Sequence, residues 1–422
     1  MAGTSDVRRA DAESAVDSRK GVGRWLGVLA LLVVVLVSYI DRVNVSVLIT
    51  DDSFTRHFGM AGDKALQGLL MTVFLAGYGV AAFLLTPFYE TVLGVRRGLL
   101  VSLACWAVFT LVSPYAVGAV TLLALRALLG GSEGPLFSLK TMYVQEHFEP
   151  AEVGKPNAVT SMGVSLGTAV GLPLVTWLVY SWSWRSSFLL LGLLNAVVGL
   201  PLVWFLVRSR ARRAASAEPR PGFGRTLRAA LRTPRLGWIL LIEIATLAYL
   251  WGSSAWLPSY LLQDRHFSIA AMGAVSSLPF LMSLASGFLG GWLIDRLPGR
   301  RLPLLFVAGS IGTGLCVALV VATGTSWVAA TGLILANGFW GLQGPAIPTL
   351  VQRHSAPGAV GSTYGVVNGV GNLVSALMPT AMGAVMAATG GFTGGYSLLI
   401  ATQAVTLVCG AGLLLLSRER EA

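Results

Sequence analysis

Long apolar runs recur about twelve times along the 422 residues, with short polar stretches between them. A membrane helix needs about 20 apolar residues to cross roughly 30 Å of hydrocarbon. Read this way, the predicted spans are 24–49, 66–90, 97–117, 119–143, 155–181, 184–208, 236–262, 269–295, 302–323, 326–350, 360–389 and 391–416. Hydrophobic residues make up 55% of the chain and charged ones only 12%, a balance foreign to soluble domains. Strands are excluded because the runs lack sustained period-two alternation and are about twice as long as a barrel strand. The predicted fold is an all-α membrane protein.

Against that background the charges inside the runs stand out. Asp41 and Arg42 are adjacent in the first run, and Arg126, Glu133 and Lys140 follow one another at seven-residue spacing in the fourth. A charge at the bilayer centre costs about 2.5 to 3.5 kcal/mol on insertion scales, so such residues are kept for a task. Seven-residue spacing sets Arg126, Glu133 and Lys140 along one helical face, which must line a cavity. Counting depth at about 1.5 Å per residue puts Asp41 level with Arg126, close enough for the two to pair, and Glu133 about 10 Å further inward, within the reach of the long Arg42 side chain; Arg126 is read as holding either Asp41 or Glu133 in register. A planar guanidinium suits a carboxylate ligand, and a desolvated carboxylic acid can carry a proton. Competition between a substrate carboxylate and Glu133 or Asp41 for these arginines therefore links anion entry to protonation. The alternative is a set of static ion pairs, and for Lys140 simple snorkelling to the headgroups.

The formal charge of +11 invites a nucleic-acid partner, but its distribution answers otherwise. Nine arginines and one acidic residue, Glu218, lie between positions 208 and 235. With the N-terminus inside, that segment is the cytoplasmic loop between spans six and seven, as the positive-inside rule requires. Topology thus accounts for the charge, and no nucleic acid is expected. The expected organisation is a disordered cytoplasmic tail over 1–23, a six-helix half over 24–208, an arginine-rich cytoplasmic linker over 209–235, a second six-helix half over 236–416 and a cytoplasmic tail over 417–422. No cleavable signal peptide is apparent. Cys105, Cys316 and Cys409 all fall in apolar spans, so disulfides, a metal site and a cofactor are not expected.

The chain also repeats itself. A shift of about 205 residues superimposes Glu90 on Asp295, Gly94 on Gly299 and Arg96 on Arg301. Two parallel halves of this kind hold a substrate near the midplane and rock about it in alternating access. Glu90, Arg96, Asp295, Arg296 and Arg301 then become candidate gating residues at the cytoplasmic face, latching one state through a helix end.

These residues carry a resemblance. The chain resembles a major facilitator superfamily transporter, and within it the anion:cation symporter family, through Tyr39-Ile40-Asp41-Arg42-Val43-Asn44, Arg126 to Glu133-Gly134, Trp256-Leu257-Pro258-Ser259-Tyr260-Leu261, the run 290–296, and Ala356-Pro357 followed by Asn368-Gly369-Val370-Gly371-Asn372. The resemblance implies proton-coupled uptake of a small organic anion (a carboxylate, sugar acid or aromatic acid) across a bacterial inner membrane by a monomer, with sodium as the other candidate coupling ion. It implies substrate contacts at Arg42, Tyr39, Tyr78, Asn368 and Asn372, and proton coupling through Asp41, Glu133 and Arg126. Tyr249, Trp251, Trp256 and Trp340 are read as core or interfacial residues, with an aromatic wall to the pocket as the alternative. The pattern departs from the family at Leu85-Thr86, where a glycine pair is usual, at Glu90, which replaces an aspartate, and at Val164 and Thr349, where sugar-acid carriers place an amide and a tryptophan. Fewer polar partners in the pocket favour a less hydroxylated or aromatic carboxylate. The alternative functions are anion exchange or efflux, and more remotely a membrane sensor or enzyme. An enzyme would need a nucleophile with its base or a set of metal ligands, and none is apparent.

Overall fold

The computed structural model describes residues 3–148, 154–208, 228–297, 299–355 and 360–418. In chain order the principal helices are α1 (Gly3–Leu48), α2 (Lys64–Phe88), α3 (Gly94–Val112), α4 (Ala119–Glu133), α5 (Leu136–His147), α6 (Gly154–Ser181) and α7 (Trp184–Leu194) in the N-terminal half. The C-terminal half follows with α8 (Leu236–Ser259), α9 (Ile269–Val275), α10 (Leu278–Arg296), α11 (Leu304–Ala322), α12 (Ser326–Gly341), α13 (Ala346–His354), α14 (Val360–Ser375), α15 (Met378–Thr389) and α16 (Phe392–Arg418). Residues 209–227, most of the arginine-rich linker, and the tail from 419 lie outside the described residues. The first helix begins at Gly3 rather than at residue 24, so helix runs through the stretch expected to be a disordered tail. Ala10, Ala12 and Ala15 with Arg8, Arg9 and Arg19 give that stretch local helix propensity.

Ten stretches among the described residues are long and apolar enough to cross a membrane. The two remaining predicted spans are present but broken, and at matching places. Span four divides into α4 and α5 at Gly134-Pro135, and span ten into α12 and α13 around Gly344-Pro345. Proline cannot donate its backbone N–H and disfavours helix in the residue before it. The two breaks sit in related sequences, Gly131-Ser132-Glu133-Gly134-Pro135 and Gly341-Leu342-Gln343-Gly344-Pro345. The repeat thus extends beyond the cytoplasmic loops, and a glutamine in the second half occupies the place of Glu133.

Small residues set how closely the helices meet. Gly163, Gly167 and Gly171 on α6 form a one-turn ladder against Leu32, Leu36 and Ile40 of α1; a Cβ on Gly163 would stand 2.8 Å from the Leu32 carbonyl oxygen. Without a water-driven hydrophobic term between helices in lipid, such close approach is a main source of association. Gly130 of α4 lies so tight on the Phe74 carbonyl of α2 that a Cβ there would collide with it. This packing rotates α1 and α4 so that Arg42 and Glu133 face the same interior space.

The halves meet at the end away from the chain termini. There Thr72 of α2 donates to the Ala376 carbonyl at 2.5 Å and shares a hydroxyl bond of 2.8 Å with Thr380, while Gly273 of α9 packs on Thr176 of α6. Near the middle, the rings of Tyr39 on α1 and Trp251 on α8 stack at 6.5 Å. At the terminal end α5 packs principally on α1, α2, α3 and α6, and α13 on α8, α10 and α14, each within its own half.

Candidate functional site

Arg42 is the centre of the interior site. It is 1% exposed, donates through Nη2 to Glu133 Oε2 at 2.9 Å, and is ringed by aromatic side chains. Its guanidinium carbon stands 4.4 Å from the Tyr39 ring centre, 5.0 Å from Tyr78, 5.2 Å from Phe74 and 5.3 Å from Trp251. Ring quadrupoles attract a cation by about 0.5 to 2 kcal/mol each, more when desolvated, so the cage keeps a buried positive charge in place while leaving its hydrogen-bonding edge for anions. Glu133 Oε2 also accepts from Ser38 Oγ at 2.8 Å, and its Oε1 has no hydrogen-bond partner. Arg42 thus reaches inward to Glu133 with its long side chain, as expected. Tyr39 and Tyr78 both border Arg42, from α1 and α2.

Asp41 and Arg126 do not pair. Asp41 Oδ2 instead accepts from Trp106 Nε1 at 2.6 Å and Thr110 Oγ1 at 2.8 Å, both on α3. Adjacent residues project about 100° apart around a helix, so when Arg42 faces the interior, Asp41 turns toward α3. Arg126 is wholly buried, and all three guanidinium nitrogens lack a hydrogen-bond partner. Its guanidinium carbon lies 4.7 Å from the Phe74 ring centre.

The single charged face expected for span four is also not formed. Glu133 is the last residue of α4, the chain breaks at Gly134-Pro135, and Lys140 rides on α5. Lys140 does not snorkel either: it is buried, donates to Ser161 Oγ at 3.0 Å and stands 4.8 Å from the Phe137 ring centre.

In the C-terminal half the paired asparagines join a polar chain. Trp251 Nε1 donates to Asn372 Oδ1 at 3.0 Å, Asn372 Nδ2 donates to the Asn368 carbonyl at 2.9 Å, and Asn368 Nδ2 donates to Glu243 Oε1 at 3.2 Å. Trp251 therefore walls the site rather than serving only the core. Glu243 was missed in the sequence, although an acid inside the apolar run from Leu236 to Leu250 carries the same signal that singles out Glu133. Gly371 packs on Glu243, whereas Gly365 and Gly369 do not mediate the close helix packing their spacing suggests, since a Cβ on either meets nothing within 4 Å. Phe74 was missed as well, since a phenylalanine in an apolar span carries no signal of its own.

The expected gating residues are spread along the terminal end. Arg96 donates to the Trp204 carbonyl at 2.6 Å and lies 4.7 Å from that residue's ring centre, a contact within the N-terminal half. Arg296 stands 3.9 Å from the Trp292 ring centre, and Arg301 is exposed in the turn Gly299–Arg301. Glu90 falls in the turn Tyr89–Leu93 and Asp295 near the end of α10; their side chains lie outside the described residues.

Comparison with known proteins gives this geometry its context. A sequence profile of the Major Facilitator Superfamily matches residues 31–379. The chain is 28% identical over 279 residues to a hexuronate transporter of Bacillus subtilis (strain 168), the match spanning 64% of each protein. It is 25% identical over 394 residues to the "Probable galactarate/D-glucarate transporter GarP" of Escherichia coli (strain K12), covering 83% of this chain and 86% of that one. Among solved structures, an inward-facing, unoccupied bacterial homolog of the human lysosomal transporter Spinster superimposes with a TM-score of 0.75 at 17% identity, over 94% of this chain and 97% of that one. A D-xylose-proton symporter does so with a TM-score of 0.75 at 13% identity, over 92% and 96%. Twinned halves, Gly-Pro breaks and charges buried at the interface are thus those of a carrier and not of an enzyme: the chain belongs to the Major Facilitator Superfamily.

Proposed function

We propose that the protein is a proton-coupled symporter that carries a small organic anion into a bacterial cell across the inner membrane, acting as a monomer with both termini cytoplasmic. The observation that carries this reading is the Arg42–Glu133 pair at 2.9 Å inside its aromatic cage. A carboxylate of the protein already occupies the guanidinium edge that a substrate carboxylate needs. An entering anion displaces Glu133 from Arg42, and the freed acid, buried without its cation, takes a proton. When the anion leaves, Arg42 recaptures Glu133 and the proton is released. One anion and one proton thus occupy the carrier together, which is the requirement for symport. Asp41, on α1, is the second acid, and Arg126 is the second cation available to the anion.

Tyr39, Tyr78, Asn368 and Asn372 border the same space and orient the rest of the substrate through hydroxyl and amide hydrogen bonds. The relatives named for hexuronate and for galactarate/D-glucarate support an anion of this class. With the termini inside, the contacts between halves lie at the outer end and the carrier opens to the cytoplasm. Arg96, Arg296 and Arg301 then stand at the cytoplasmic face, where Glu90 and Asp295 complete the gate of the opposite state.

Uptake of labelled carboxylates into liposomes bearing the purified protein, with and without an inward proton gradient, tests the reading. Accumulation only with the gradient is expected; accumulation driven by sodium alone would assign the coupling to sodium instead. A cysteine introduced at position 218 is expected to resist an impermeant reagent applied outside intact cells.

A further inference from the structure

Glu243 stands out in the C-terminal half as Glu133 does in the N-terminal one, but in a different electrical setting. Glu133 has the Arg42 guanidinium at 2.9 Å. Glu243 is 5% exposed on α8, and its hydrogen-bond partner is the neutral Asn368 amide. The elements packed on α8 bring Tyr39 and Arg42 from α1, Arg353 and His354 from α13, Tyr364 from α14 and Cys409 from α16. Among the described residues none of these forms an ion pair with Glu243. Burial with no cation opposite disfavours the ionised carboxylate. The α14 backbone lies directly against it, since a Cβ built on Gly371 would stand 2.7 Å from Glu243 Cγ.

The amide chain Asn368–Asn372–Trp251 connects this acid to the site, because Trp251 is one wall of the Arg42 cage. Eight residues of α8 separate Glu243 from Trp251, about 12 Å along the helix. Because an entering carboxylate takes the place of Glu133 at Arg42, the charge that acts on Glu243 is what the anion brings beyond that one carboxylate, and such a charge disfavours an ionised Glu243. Anion binding at one half and protonation at the other therefore favour each other.

We propose that Glu243 is a second proton-accepting residue of the cycle, which takes a proton from water as an anion binds at Arg42 and returns it once the anion has left. The only bond made and broken is the carboxyl O–H. This rests on the coupled transport proposed above and adds an acid in the half that carries none of the coupling residues named so far.

The test uses the full-length protein in lipid nanodiscs. Infrared difference spectra of the parent against Glu243→Gln are expected to lose one protonated-carboxyl carbonyl band that titrates with pH; absence of such a band across the neutral range would overturn the proposal. Calorimetry in two buffers of different ionisation enthalpy then counts protons taken up per anion bound, with the tightest binder among D-glucuronate, galactarate and sulfoacetate as the probe. A single linked proton gives up to about a tenfold change in Kd per pH unit. Part of the parent's uptake and pH slope is expected to disappear in Glu243→Gln and to persist in Glu243→Asp. Undiminished proton uptake in Glu243→Gln would remove Glu243 while leaving coupled transport standing. A parent that takes up no proton at all would remove both.

Discussion

Arg126 lies against Phe74 with its guanidinium carbon 4.7 Å from the ring centre and no hydrogen bond from any of its three nitrogens. The same ring lies 5.2 Å from the guanidinium carbon of Arg42, so one phenylalanine serves two buried cations. Like charges in a low-dielectric interior repel strongly, and each ring contact returns about 0.5 to 2 kcal/mol. Phe74→Leu keeps an apolar side chain, though a smaller one, and removes the quadrupole. Thermal unfolding in detergent is expected to show a loss of about 1 to 3 kcal/mol, recovered in part by a bound anion. Unchanged stability would mean that the ring only fills space.

Arg42→Lys replaces a planar fork by a point charge. Transport is expected to fall at least tenfold while expression and membrane insertion stay near those of the parent, because the cation and its cage survive. If the lysine variant binds and transports like the parent, the bidentate role given to Arg42 is wrong.

Glu133→Gln fixes a neutral side chain that still donates and accepts hydrogen bonds. If anion binding brings a proton to Glu133, the parent binds anion more weakly as pH rises, since the proton becomes harder to supply; the glutamine variant is expected to show a flatter profile. Gradient-driven uptake should collapse, whereas exchange of internal for external substrate, which needs no proton release, should persist in part. Counterflow in liposomes separates the two. Loss of exchange and binding together would mark a structural ion pair, and retained proton-driven uptake would move the coupling to Asp41 or to another ion.

Gly130→Val tests the packing beneath the site. A Cβ at this position runs into the Phe74 backbone carbonyl, which cannot swing aside as a side chain would. The variant is expected to express poorly or to unfold at lower temperature by more than the about 1 kcal/mol typical of a point substitution. Gly237→Ala is the control, since a Cβ there meets nothing within 4 Å.

The span pattern was legible because the cost of burying polar residues in hydrocarbon acts residue by residue and leaves its mark on composition. Charges inside the spans were legible for the same reason, and although counting depth along an ideal helix set Glu133 inward of Asp41 and Arg126, the length of the Arg42 side chain was enough to suggest its reach to Glu133. Depth is one coordinate of two, however. The direction a side chain takes around its helix depends on which neighbour that helix leans on, and this is where expectation and structure part. Asp41 turns to Trp106 and Thr110 on α3 instead of Arg126, because the glycine ladder of α6 fixes the rotation of α1.

Lys140 left the face of Arg126 and Glu133 because a single Gly-Pro step interrupts the helix, a local signal written in the sequence at 134–135 and again at 344–345. Hydropathy, internal repetition and charge placement along the chain are enough to specify an all-helical membrane protein of two related halves with arginines and acids kept in its interior. Which of those charges touch, that Phe74 stands between two arginines, and that Asn368 is tied to Glu243 and through Asn372 to Trp251, were decided only by tertiary packing. Those contacts join helices far apart in the chain, and no periodicity within one segment encodes the rotation of another.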